Sequence, residues 1–463
     1  MVLLFLAYTQ LFRYLGPYGS GQYQFVLSYV AIFGVIIDFG IQQYIIKKIS
    51  EQPDQAKRYF QNFLAVEVML VIFIYLLLYS IAKVGHYEPV VVHAIAIAGL
   101  GTALNGLTYP FLSVMSAFYD LKKVAFLNFL NSVINVGTIF GVIYFHKYIV
   151  LLASNQVVFA VLGLFFYTHY VKKHIPKPEI LKAARSLDWP LIRRIFTAAF
   201  PFALLVGFST IYNRIDVVLI TKLLGYEQTG IYTAAYKFFD LMGFFPAVVS
   251  VSLYPVFASL MARRDLPAVR RTLEAYLRFL LAIALPMGVG GMLLARPIIS
   301  VLAGPQFANS APVLAIIVWA PAVLFVYIVA NSLVISQLTK FAVAITGANV
   351  IINVVGNLIL LPRIGLKGAA IMTVVSELIQ AIFYFHFVRN KIINFRFFSQ
   401  AWKPALASVA MGAFLWYVTG TGSLVLPLVA GAVVYFAALF ALGFFHKDDV
   451  AFLKNFFRPQ APA

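Results

Sequence analysis

The sequence predicts an all-α polytopic membrane protein of about 14 transmembrane helices, the first one partial. Three observations carry that expectation. Of the 463 residues, 62% are apolar, well above the ~45–50% usual for soluble domains, and mean hydropathy is +0.91. The apolar residues come in runs of about 20, the length that crosses a hydrocarbon core as a helix. The charged residues, only 11% of the chain, gather in short stretches between those runs. A water-soluble multidomain protein is excluded. Cysteine is absent, which removes disulfides, thiolate metal ligands and cysteine nucleophiles.

Taken in order, Met1–Phe12 is apolar but reaches only about 18 Å as a helix. It lacks the basic start and cleavage site of a signal peptide, so it reads as the back half of a first span with a truncated or misassigned start. Further spans are expected near 23–46, 61–84, 90–115, 124–145, 149–171 and 197–221. The rest are expected near 230–256, 273–295, 311–336, 341–361, 368–388, 404–420 and 424–445.

The formal net charge is +19. A nucleic-acid partner would need those cations clustered on one soluble face, and they are scattered, so none is expected. They report orientation instead. Of the 35 Lys and Arg residues, 25 fall in one set of connections, including Lys47, Lys48, Lys122, Lys123, Arg263, Arg264 and Arg389. Seven fall in the other set, and Arg214, Lys237 and Arg278 lie within spans. The richer face is cytoplasmic, which predicts a multi-pass protein of the cell inner (cytoplasmic) membrane with its C-terminus inside. The longest cytoplasmic connection, 173–196, carries Ile180, Ala184, Leu187, Leu191 and Ile195 at helical spacing. It reads as an amphipathic linker lying on the inner leaflet.

An internal repeat runs through the chain. Leu15-Gly16-x4-Gly21-x-Tyr23 returns as Leu224-Gly225-x4-Gly230-x-Tyr232, offset by 209. Asn131-x3-Asn135, followed by an aromatic-His block around His169, returns as Asn349-x3-Asn353 and a block around His386. The expected organisation is a six-helix lobe over 1–172, the linker 173–196, a second six-helix lobe over 197–388, and two extra helices with a cytoplasmic tail over 389–463. Six spans is an even number, so the repeat is parallel. Two such lobes around a central cavity suit alternating access.

Several motifs in this frame resemble one family. Arg13-Tyr14-Leu15-Gly16-Pro17 with Gly21-Gln22-Tyr23, then Asp38-Phe39-Gly40, open the series. The strongest stretch runs from Pro201-Phe202 through Tyr212-Asn213-Arg214-Ile215-Asp216 to Leu224-Gly225 and Gly230-Ile231-Tyr232-Thr233-Ala234-Ala235-Tyr236-Lys237. Pro246, Pro255, Pro286, Gly304-Pro305-Gln306-Phe307, Asn349, Asn353 and Gly368-Ala369-Ala370 follow in order. This set resembles the polysaccharide flippase branch of the multidrug/oligosaccharidyl-lipid/polysaccharide (MOP) exporter superfamily, over essentially the whole chain. The resemblance implies a flippase moving polyprenyl-diphosphate-linked oligosaccharide repeat units from the cytoplasmic to the outer leaflet. A departure is the missing basic segment and front half of the first helix.

Ionisable groups within spans are costly and face a cavity or a partner. Arg214, Lys237 and Arg13 are the candidate contacts for a lipid-linked diphosphate, because cationic donors suit phosphate oxygens. Asp216 lies about 200° round the helix from Arg214, whereas Lys237 and Asp240 are helix neighbours. The alternative is an ion-pair network between spans seven and eight, packed by Tyr212 and Tyr236. Asp38 and Glu377, each near the middle of a span, are candidates for H⁺ or Na⁺ exchange, with Asp216 and Asp240 in the same network. Packing of a hydrogen-bonded carboxyl is the competing reading. Glu67 and Arg278 read as side chains snorkelling to the cytoplasmic surface. Asn131, Asn135, Asn349 and Asn353 are expected to bond between helices or line the cavity.

No metal-binding spacing of histidines and no phosphate-binding glycine loop occurs, so no metal, cofactor or nucleotide drive is expected. A cation-coupled drug or metabolite exporter on the same fold is the second reading, though Arg214 and Lys237 tilt toward an anionic substrate. An enzyme is disfavoured, since the outer connections offer only Glu88 and Glu227 as carboxylates.

Overall fold

The computed structural model describes residues 2–145, 149–175, 187–337, 339–418 and 424–445. Helices and short turns account for all regular structure among them. The first part of the chain forms α1 (Val2–Asp38), α2 (Ile41–Glu51), α3 (Ala56–Val84), α4 (Pro89–Gly106), α5 (Tyr109–Ala117), α6 (Leu121–Tyr144) and α7 (Ile149–Val171). It continues with α8 (Trp189–Leu224), α9 (Tyr226–Ala262), α10 (Leu266–Leu293), α11 (Ala295–Leu302) and α12 (Ala311–Ile317). The last are α13 (Trp319–Gln337), α14 (Thr339–Ile364), α15 (Leu366–Phe387), α16 (Phe397–Val418) and α17 (Val425–Ala441).

Ten helical stretches among the described residues are long and apolar enough to cross a membrane. The expected fourteen differ for identifiable reasons. The first two run together as Leu6–Glu51, and the eighth lies in α9, of which Ser252–Ala262 is a shorter apolar part. The last, Val425–Ala441, is short. The thirteenth, α16, carries Lys403, whose Nζ donates to the Gly443 carbonyl at 2.8 Å.

Aspartates start two of the long helices. Asp188 accepts from the Leu191 N–H at 3.0 Å and Asp265 from the Ala268 N–H at 3.0 Å, each followed by a proline in the first turn. Such a carboxylate satisfies a helix-end donor that has no partner inside the helix. Asp188 also pairs with Arg58, and its N–H donates to Asn62 Oδ1 at 2.8 Å. Residues 189–196, expected in the linker, are thereby the first turns of α8; Ile180 and Ala184 lie outside the described residues.

Contacts divide the chain into two compact units, residues 1–234 with 343–372, and residues 235–342 with 373–463. The first unit holds the repeated glycine turns. Gly16 has φ 64° and ψ −179°, and its counterpart Gly225 has φ 87° and ψ 175°. Both conformations need a residue without a Cβ, so the repeated glycine makes the same bend twice. The second glycines make a reciprocal contact. A Cβ on Gly21 would lie 1.8 Å from the Tyr226 carbonyl oxygen, and one on Gly230 would lie 1.8 Å from the Pro17 carbonyl oxygen. Pro17 and Tyr226 occupy the same position of the motif. Each turn therefore presses its glycine against the backbone of the other, a local two-fold clasp of the kind small residues allow between helices. Tyr18 packs edge-on against Tyr226 at 5.8 Å, and Thr221 and Thr229 hydroxyls meet at 2.8 Å beside it.

At another edge of this unit, outside the spans, His174 Nε2 lies 2.6 Å from Asp120 Oδ2 and Lys123 Nζ 3.2 Å from Oδ1. Phe118 stacks on the His174 ring at 4.5 Å. The His174 hydrogen bond, with Lys123 adding, holds the Asp120 carboxyl below the usual carboxylate range. In the second unit, a Cβ on Gly288 would meet the Trp319 ring at 2.7 Å, so α10 and α13 also touch through a missing side chain.

Gly21→Ala or Gly230→Ala is expected to cost more than about 2 kcal/mol, because a carbonyl cannot move aside as a side chain can. Gly137, in α6, has nothing within 4 Å of its Cβ position, so Gly137→Ala is expected to be neutral or to stabilise by up to about 1 kcal/mol. Thermal unfolding in detergent separates the two cases. Asp120→Asn is expected to lower the melting temperature at neutral pH. A depressed carboxyl stabilises above its unfolded value and loses that contribution as pH falls through its folded value. The difference between mutant and wild-type melting temperatures should accordingly persist down to about pH 4 and close only as the pH falls further.

Candidate functional site

Among the described residues three carboxylates lie buried among apolar helices: Glu67, Asp216 and Glu377, at 0%, 4% and 2% exposure. Burying such a group demands hydrogen bonds or a bound cation, so these positions mark where the chain does something other than pack.

Asp216, on α8 in the first unit, sits in a polar cluster. Tyr232 donates to its Oδ2 at 2.9 Å, and Asn357 Nδ2 donates to its Oδ1 at 2.9 Å. Asn357 Nδ2 also approaches Asn353 O at 3.0 Å and Asn353 Oδ1 at 3.1 Å. The Asn357 Oδ1 atom is buried without a hydrogen-bond partner. A phenol and an amide nitrogen thus converge on the Asp216 carboxylate between α8, α9 and α14, so that both of its oxygens accept hydrogen bonds. The helix spacing explains the gathering: Asn349, Asn353 and Asn357 are one turn apart on α14, and Asn349 and Asn353 are each 1% exposed.

Sequence reasoning named Asp216 and Asn353 here but missed Tyr232 and Asn357. Both signals were present, since Tyr232 closes the repeated motif and Asn357 extends the Asn pair by one turn. Asn349 is buried next to this cluster in sequence, with neither amide atom bonded. Asn131 and Asn135, its repeat counterparts on α6, are only half-buried. Arg214 is half-buried and forms no ion pair among the described residues. Arg13 is exposed on α1.

Asp38 is not in the middle of a helix. It closes α1, and Phe39 (φ 44°) and Gly40 (φ 67°) break the chain before α2. There Asp38 is half-buried, and its Oδ1 accepts from the Gln42 N–H at 3.3 Å. Glu67 corrects the sequence reading more sharply. It does not snorkel: it is fully buried, with no partner on either oxygen.

The second unit holds the other candidates. Glu377 accepts a hydrogen bond from Tyr327 at 2.8 Å, and the Tyr327 ring stacks on Tyr384 at 5.6 Å. Lys237 Nζ lies 3.3 Å from Asp240 Oδ2. The Asp216 link between α8 and α9 therefore runs through Tyr232, while Lys237 and Asp240 pair along α9. This unit also contains a cavity of about 1130 Å³ between α10, α13, α15 and α16. Its wall is largely apolar and aromatic, with Trp319, Phe385 and Phe397, and it is also lined by Arg389 and Arg396, both exposed. Arg389 rides on a π-helical turn, Val388–Ile392. Among the described residues, no group of three His, Asp or Glu side chains is placed to hold a metal ion.

Comparison with known proteins places this architecture. The family described as polysaccharide biosynthesis protein matches residues 1–261, more than half of the chain. The chain belongs to that family. The MatE family also matches residues 201–359, so the polysaccharide biosynthesis family and its MOP-superfamily setting meet in one sequence. An uncharacterized membrane protein of Methanocaldococcus jannaschii, MJ1068, is 23% identical over 92% of this chain and 88% of its own. A probable low-salt glycan biosynthesis flippase of Haloferax volcanii, Agl15, is 22% identical over about half of each chain, 48% and 49%. Among solved structures, the lipid II flippase MurJ in an inward closed conformation superposes with a TM-score of 0.74 at 14% identity, covering 99% of this chain and 97% of MurJ. The members of these families and their structural neighbours are transporters, and the chain is a membrane transporter of the flippase type rather than an enzyme.

Tyr232→Phe is expected to remove the buried hydrogen bond to Asp216 Oδ2 and to cost about 1–3 kcal/mol. Gly137→Ala serves as the neutral control in the same unfolding measurement.

Proposed function

We propose that the protein flips polyprenyl-diphosphate-linked oligosaccharide repeat units from the cytoplasmic to the outer leaflet of the cell membrane, its C-terminus inside. The observation that carries this reading is the cavity of the second unit. A largely apolar, aromatic wall with exposed Arg389 and Arg396 in its lining suits an amphiphile with a long hydrocarbon chain and an anionic head, since guanidinium groups bind phosphate oxygens in pairs. Arg214, Lys237 and Arg13 are the further cationic contacts along the route. The lobes 1–172 and 197–388 alternate in access, and an H⁺ or Na⁺ gradient drives the cycle through the Asp216 cluster, Asp38, Asp240 and Glu377. Family membership and the described role of Agl15 support the glycan.

Proteoliposomes loaded with a fluorescent polyprenyl-diphosphate glycan test this reading. Arg389→Gln with Arg396→Gln is expected to slow flipping about tenfold or more, the loss of a charge-assisted contact. Arg214→Gln with Lys237→Gln is expected to abolish it while protein still reaches the membrane. Asp38→Asn is expected to flip without responding to the ion gradient. Unchanged rates in both double variants would sink the anionic-ligand reading. The MatE match favours a cation-coupled drug or metabolite exporter as the second reading, which drug transport without glycan movement would establish.

A further inference from the structure

The three buried carboxylates are handled in two different ways. Asp216 and Glu377 each accept hydrogen bonds from buried donors. Glu67 accepts none, although it is the most buried of the three. A carboxylate left ionised in that condition would lose its hydration with nothing in return.

What surrounds Glu67 narrows the possibilities. A Cβ on Gly106 would lie 3.1 Å from Glu67 Oε1, 2.4 Å from an Ile37 methyl and 3.1 Å from a Val71 methyl. The carboxyl therefore sits over a bare stretch of α4 backbone, among methyl groups. Two helices break beside it: α1 ends at Asp38, next to Ile37, and α4 ends at Gly106 before α5 restarts at Tyr109. Each break sets the partly negative C-terminal end of one helix beside the partly positive N-terminal end of the next, at Ile41 and Tyr109, so the helix ends offset one another. The titratable groups that act on Glu67 electrostatically are Asp38 and, from α5, Tyr109. Neither Glu67 nor Asp38 forms an ion pair with a Lys or Arg among the described residues. A fully buried carboxyl with no hydrogen-bond donor and no cationic side chain beside it, among the described residues, is a site that calls for a bound cation. Broken helices within a membrane are where transporters hold coupling ions. A dehydrated metal ion needs several oxygens around it, and the methyl groups of Ile37 and Val71 occupy that space. A proton needs only one.

We propose that Glu67 with Asp38 is a proton site, with Glu67 carrying the proton in the closed arrangement of the α1 and α4 breaks and Asp38 serving as its exit. In release, the O–H bond of the Glu67 carboxylic acid breaks, the proton forms an O–H bond on Asp38, and half-buried Asp38 passes it to water. The site is separate from the Asp216 cluster. It rests on the ion-driven reading above for its use in transport, but not for its existence.

Infrared difference spectroscopy on the full-length protein in lipid nanodiscs tests it. At neutral pH the wild type is expected to show a protonated-carboxyl C=O band that shifts in D₂O and with ¹³C-glutamate labelling. Glu67→Gln, which keeps the shape of the neutral acid, is expected to lose this band. Glu377→Gln and Asp216→Asn are expected to retain it, and Asp38→Asn to move its titration midpoint. A band that survives Glu67→Gln unchanged, or a wild-type spectrum with no ¹³C-glutamate-sensitive band outside that of Glu377, overturns the proposal. If Glu67→Gln fails to fold, labelled Glu377→Gln keeps the proposal falsifiable, because the absence of any ¹³C-glutamate-sensitive band in it overturns the proton site. Should no glycan-lipid move in proteoliposomes while the band behaves as expected, the transport reading fails and the proton site stands.

Discussion

Two backbones touching without side chains between them set the geometry of the repeated turns. Gly21 against the Tyr226 carbonyl and Gly230 against the Pro17 carbonyl leave no room for a single extra carbon. Helices in lipid gain little from the hydrophobic effect and associate through close packing and polar contacts. Here that closeness fixes the start of α9, and with it the position of Tyr232 two residues beyond Gly230. The bends at Gly16 and Gly225 supply the approach angle. An apolar residue in place of Gly21 or Gly230 would be equally comfortable in the bilayer and still incompatible with the contact, whereas one in place of Gly16 or Gly225 would strain the bend.

The buried carboxylates show how far polar chemistry is tolerated in this interior. Asp216 is answered by a tyrosine and an asparagine, and Glu377 by a tyrosine backed by a second ring. Each solution recruits groups from different helices, which gives the helices a reason to keep one rotational setting. The arginines of the second-unit cavity take the opposite course and stay at its rim, where their charge remains hydrated while the wall stays dry.

Much of the fold was legible in the sequence, because hydropathy over about 20 residues is a strong signal. The paired glycine motifs were legible as a repeat, and the matching backbone angles at Gly16 and Gly225 follow from it. Helix breaks were less so. Asp38 looked central because Phe39-Gly40 interrupts α1 without interrupting the apolar run, and Phe39 takes a left-handed conformation that side-chain patterns do not announce. Glu67 was misread for a related reason. Distance from the basic connection along the chain says nothing about which side of α3 faces protein, and burial depends on α1 and α4 arriving there. Asn357 and Tyr232 carried visible spacing, but their joint relation to Asp216 arises only when residues far apart in sequence are brought together.

Gly230 and Tyr232 lie on the same short stretch of α9, one gripping the opposite turn and the other holding Asp216. A rigid shift of that stretch by an ångström opens the clasp and stretches a 2.9 Å hydrogen bond beyond its useful range. The start of this helix is thus held from both ends, so a substitution that spreads the two turns also strains the hydrogen bond to a buried carboxylate.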